Sequence, residues 1–106
     1  MDTITDTRTF TFEGTVHNPE HAEFGGAPAF TCATGLDEVR GCINAVLGGK
    51  GRRLSRQVLA LAGTYGVVFQ PDDVLGTLAA IVDRMAVNAG VAVHDDDEVV
   101  QITRNS

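Results

Sequence analysis

The feature that most restricts the fold is a change of period along the chain. From Arg8 the side chains alternate strictly. Phe10, Phe12, Gly14 and Val16 face one way; Thr9, Thr11, Glu13, Thr15 and His17 face the other. That period of two belongs to a strand with one buried face. Between about residues 36 and 89 the apolar positions recur at spacings of three and four, the mark of helices. From Val91 the period of two returns. Such a chain reads as an α+β domain, with strands at both ends and helices between them.

The boundaries follow from local chemistry. Ala29–Ala33, with Phe30 and Cys32 on one face, reads as a second strand. It makes a hairpin with 8–16 across the loop 17–28, which Pro19, Gly25–Gly26 and Pro28 punctuate. Thr34 suits an N-cap, with Asp37 serving the first turn. Leu36, Val39, Ile43, Val46 and Leu47 then predict a helix over 36–47, stopped by Gly48 and Gly49. A second helix is predicted over 52–65. Leu54, Val58, Leu61 and Tyr65 share one arc of it, and Arg52, Arg53 and Arg56 lie roughly opposite.

Pro71, with Asp72 and Asp73 in the first turn, opens a third helix expected over 71–88. Its stripe of Val74, Leu75, Leu78, Ile81, Val82, Met85 and Ala89 makes it the main core element. Val91–His94 and Glu98–Thr103 close the chain as a hairpin around Asp95–Asp97. The expected order is therefore ββαααββ: an N-terminal β-hairpin, three helices and a C-terminal β-hairpin. It forms one domain over 8–106, preceded by a flexible arm, 1–7. With no Trp, one Tyr and five Phe, the core has to come from Val, Leu, Ile and Ala.

The sharpest chemical feature is Gly48–Arg56. Lys50, Arg52, Arg53 and Arg56 are four of the eight Lys and Arg residues in a chain of net charge −6; with those four set aside the charge is −10. A glycine-rich turn feeding a helix start offers backbone N–H groups to an anion, and arginines add bidentate contacts. It is not a Walker A loop, because Gly51 stands where Ser or Thr would hold magnesium. The expectation is a small non-catalytic binding or regulatory protein. Lys50, Arg52, Arg53 and Arg56 would contact an anionic partner, with nucleic acid or a nucleotide favoured. The alternative is a homo-oligomeric structural or assembly subunit that pairs through strand 8–16. Against both stands the plain possibility that the arginines only balance an acidic body.

Three helices followed by a hairpin is also the order of a winged-helix module. Leu61-Ala62-Gly63-Thr64-Tyr65-Gly66-Val67 resembles the Ala-x-x-x-Gly-Val turn of helix-turn-helix motifs, and Gly90-Val91 resembles the entry to a wing. The resemblance implies a winged-helix-like, DNA-binding arrangement from residue 35 onward. The chain departs from it at Asp72–Asp73, which would open the recognition helix, and at Asp95–Asp97, which would tip the wing; both would repel phosphates.

Other chemistries fit less well. His17-Asn18-Pro19-Glu20-His21 matches the inverted zinc-peptidase pattern, but Pro19 cannot sit inside the helix that pattern needs. A loop metal site on His17, His21 and Cys32 is outweighed by a plain polar loop. His94–Glu98 lacks the glycine and terminal Glu of a calcium loop. Cys32 and Cys42 read as small buried thiols of a reduced, cytoplasmic protein. Neither Cys32 nor Ser55 is spaced from a histidine as a nucleophile would be. No catalytic residue, metal or cofactor is expected. No apolar run reaches the roughly 18 residues of a membrane span, and the acidic start is no secretory signal. The third helix is expected to contribute to a homo-oligomer.

Overall fold

A computed structural model describes residues 6–16, 29–94 and 98–106. The elements are β1 (Thr9–Val16), β2 (Ala29–Thr34), α1 (Gly35–Leu47), α2 (Gly51–Tyr65), α3 (Val74–Asp83), β3 (Gly90–His94) and β4 (Glu98–Arg104). This is the α+β order that the change of period implies. The four strands form one antiparallel sheet in the order β2-β1-β4-β3. The two hairpins are joined by β1 and β4, with Phe12 opposite Ile102 and Gly14 opposite Val100.

One face of the sheet carries Phe10, Phe12, Ala33, Val91, Val93, Val100 and Ile102, all buried. The helices cover that face: α1 lies against β2 and β1, α2 against β3, and α3 packs on both α1 and α2. Val39, Ile43, Leu54, Val58, Leu78, Ile81 and Val82 complete the core from the helix side. On the other face Thr11, Glu13 and Val99 are half-buried, and Gln101 is exposed. The residues after β4 extend its pairing with β1. Asn105 N donates to Thr9 O at 2.8 Å, and Asn105 Nδ2 donates to Thr11 Oγ1 at 2.7 Å.

Several expectations are corrected. Strand β1 is not an edge. It pairs with β2 on one side and β4 on the other, so its backbone groups are spent and it cannot recruit a neighbour as the assembly reading required. The edges are β2 and β3. The third helix is shorter than 71–88. Pro71 and Asp72 form a turn ahead of it, and Asp73 is the N-cap, its Oδ1 accepting from Gly76 N at 2.9 Å. Thr77 secures that turn: its hydroxyl accepts from Gln70 N and donates to Asp73 O, both at 3.0 Å. At the far end Arg84 N and Met85 N bond back to Ile81 O and Val82 O. That tightens the last turn. Met85 then enters the core from beyond the helix.

Thr34 does not cap α1 with its side chain. Its backbone N–H donates to Glu38 Oε2 at 2.7 Å, while Asp6 Oδ2 accepts from Leu36 N at 3.0 Å. Asp6, placed by sequence in the flexible arm, is therefore tied to the domain. Arg8 holds it there, donating from Nη2 to both Asp6 and Asp83 at 2.7 Å.

A winged-helix arrangement is not shown. Helix α3 is buried along Val74, Thr77, Leu78, Ala79, Ile81 and Val82, leaving no polar face for a groove. The hairpin β3–β4 is built into the sheet through β4–β1. The expected wing tip, Asp95–Asp97, and the loop holding His17 and His21 lie outside the described residues. No helix among the described residues is long and apolar enough to cross a membrane.

Candidate anion-binding site

The junction between α1 and α2 is built by its glycines. Helix α1 ends at Leu47, and Gly48 N donates to Asn44 O at 3.0 Å. Gly49 has φ +82°, in the left-handed region that a Cβ disfavours. Lys50 N then reaches back to Leu47 O at 2.9 Å, and Arg53 N bonds to Lys50 O at 3.1 Å as α2 begins.

Helix α2 divides as its sequence implies. Leu54 and Val58 are buried and Leu61 and Tyr65 half-buried, Ala62 is buried beside them although outside the expected arc, and Arg52, Arg53 and Arg56 are exposed. Lys50, at the N-cap, is half-buried. The four cations singled out in the sequence are thus brought to one place: the first two turns of α2 and the residue before them. Among the described residues, Arg52, Arg53 and Arg56 have no carboxylate partner, whereas Arg8 is paired with Asp6 and Asp83.

The start of α2 is also electrostatically mismatched. It has no side-chain cap and no acidic residue in its first turn. Arg52 and Arg53 occupy that turn, where the helix dipole favours negative charge. Each cation so placed costs about 0.3–1 kcal/mol at low salt.

Beside this start lies an open cleft of about 550 Å³, lined by Asn44, Arg52, Pro71, Asp72 and Leu75 among others. A smaller one of about 220 Å³ continues along α1 and α3 past Asn44 to Arg40. The cleft exists because α2 and α3 begin side by side: a Cβ on Gly51 would stand 3.5 Å from Val74 Cβ. Asp73 spends one oxygen on its cap. Asp72 is exposed and has no hydrogen-bond partner among the described residues. The sequence marked Asp72 as a helix-opening residue and as a repulsive element for phosphates; its place opposite the α1–α2 junction depends on how α3 packs and has no local signal.

Ser55 donates its hydroxyl to Gly51 O at 3.2 Å, an ordinary helix contact. Cys42 carries no disulfide, and burial, reinforced by Glu38, pushes its thiol up, the reverse of an activated nucleophile. Among the described residues no group of three His, Cys, Asp or Glu side chains is placed to hold a metal ion. Comparison with protein families, with curated proteins and with solved structures returned no match to this chain.

Proposed function

We propose that this is a non-catalytic binding protein whose α1–α2 junction contacts an anionic partner through Lys50, Arg52, Arg53 and Arg56, the partner being a nucleic acid or a nucleotide. One observation carries the reading. Three arginines stand exposed over the first two turns of α2, Arg52 and Arg53 opposing the helix dipole at its uncapped start, and none is ion-paired with a carboxylate among the described residues. Arginines that served only to balance the acidic body would be expected in ion pairs with its Asp and Glu side chains; Arg52 shares a cleft with Asp72 and Asp73 and pairs with neither. A phosphate at the junction would relieve both the dipole mismatch and the mutual repulsion of the guanidinium groups, and would accept bidentate hydrogen bonds.

The test is a fluorescence-anisotropy titration of a labelled single-stranded oligonucleotide and of a labelled nucleotide, over a range of salt concentrations. The expected result is binding that weakens as salt rises, with a slope of about 0.7 in log–log terms per phosphate contacted on the single strand. Exchanging Arg52, Arg53 and Arg56 together for Glu should abolish it. No binding, or binding indifferent to that exchange, sinks the proposal.

A homo-oligomeric assembly subunit is the second reading, and one feature favours it once β1 is removed from consideration. β3 is an outer strand. The N–H and C=O of His94 point outward and are held by the Gln57 side chain, so by alternation those of Ala92 and Gly90 also face outward. Light scattering at increasing protein concentration separates the readings. A defined oligomer formed without any nucleic acid favours assembly.

A further inference from the structure

The cleft next to the basic junction has mixed chemistry. Arg52 supplies positive charge, Asp72 an exposed carboxylate without a hydrogen-bond partner among the described residues, Asp73 a second carboxylate with one oxygen given to the α3 cap, and Pro71 and Leu75 apolar wall. A surface for a long polyanion should not carry a carboxylate within the same cleft, because each phosphate that passed it would be repelled. A small ligand with an anionic end, a flat apolar middle and a hydrogen-bond-donating edge meets every one of these groups favourably.

We infer that the cleft binds a mononucleotide, with the phosphate on Arg52, the base against Pro71 and Leu75, and Asp72 accepting from the base edge. This rests on the anionic-partner reading above and narrows it. The carboxylate also selects the base. Two oxygens on one carboxylate match two neighbouring N–H donors. Of the four common bases, only guanine presents two adjacent donors on its Watson–Crick edge, the ring N–H and the exocyclic amine. Adenine and cytosine present an amine beside an acceptor, and uracil a single N–H between two carbonyls. The ligand class is therefore a guanine nucleotide. The volume of about 550 Å³ falls within the range of small-ligand sites. Asp73 lines the same cleft, with its Oδ1 given to the α3 cap.

The experiment is calorimetric titration of the whole protein with GMP, AMP, CMP and UMP, repeated for Asp72→Asn and Arg52→Glu. Both substituted side chains are exposed, and thermal melts confirm that each variant folds. GMP should bind at least roughly tenfold more tightly than the other three. Asp72→Asn should erase that preference while leaving the binding shared by all four nucleotides. Arg52→Glu should remove binding of all four. Equal affinity for the four nucleotides, or a guanine preference that survives Asp72→Asn, overturns the inference while leaving an anion-binding junction standing. Binding of a single-stranded oligonucleotide with none of GMP does the same. If neither nucleotide nor oligonucleotide binds, the broader reading falls with it.

Discussion

Gly41 and Gly63 stand inside α1 and α2 on exposed positions, and a Cβ added to either would meet nothing within 4 Å. Neither has a positive φ. Each glycine therefore carries the backbone-entropy cost of its type with no compensating contact inside the described chain. Replacing either by Ala should stabilise the fold by up to about 1 kcal/mol. The two lie on different helices with no shared neighbour, so the effects should add. A double variant gaining about 1.5 kcal/mol should melt roughly 6–10 °C higher for a domain of about this size. Urea unfolding followed by circular dichroism is the second assay, and the midpoint should rise with no change in slope. Gly66 supplies the internal control. It ends α2 at φ +69°, so the same substitution there should destabilise by about 1 kcal/mol. The reasoning fails if Gly63→Ala is neutral or destabilising while Gly66→Ala behaves as stated. Something would then be pressed against the outward face of α2 in solution, beside the arginines and Leu59, which is 53% exposed.

Two further outcomes follow from hydrogen bonds across the fold. The Arg8 guanidinium, with the Leu36 amide next, holds the Asp6 carboxyl far below the usual carboxylate range. A carboxylate depressed in the folded state stabilises above its unfolded pKa and loses that contribution as pH falls, so stability should decline from about pH 5 downward. Asp6→Asn should be less stable at neutral pH and show a shallower acid dependence, measured by urea midpoints across pH. Gln57 clamps the outer edge of β3, its Oε1 accepting from His94 N at 2.9 Å and its amide donating to His94 O. Gln57→Ala should cost about 1 kcal/mol and raise hydrogen exchange at the His94 amide, read by NMR.

The order of elements was legible because each segment keeps one period long enough to declare itself. The two arcs of α2 were legible for the same reason, with a small rotation: of the expected arc Leu54 and Val58 are buried and Leu61 and Tyr65 half-buried, while Ala62 beside it is buried too, and Arg52, Arg53 and Arg56 are exposed. What escaped depends on partners distant in the chain. Nothing in 8–16 says that it lies between two strands, since alternation reports one buried face and is silent about edges. The apolar stripe of α3 ran on to Met85 and Ala89 because both pack against the core from outside the helix, so periodicity overstated its length. Asp6 looks like any acidic residue in a polar arm until Arg8 and the start of α1 are placed beside it. The basic face was readable as charge; the cleft beside it was not, because Asp72 and Leu75 reach it only through the packing of α3 on α1 and α2.

The pairing of β1 with β4 also orders events in time. A ribosome releases Thr9–Val16 long before Glu98–Arg104, so the first strand must wait, with one side unpaired, until almost the whole domain has emerged. The helices form from local contacts and can be ready early, whereas closing the sheet requires a loop spanning most of the chain. During that interval β1 is for a while the exposed edge that the finished fold denies it. The Phe-bearing strand with its Thr-rich outer face is thus a point of vulnerability in the nascent protein and an inert strut in the mature one.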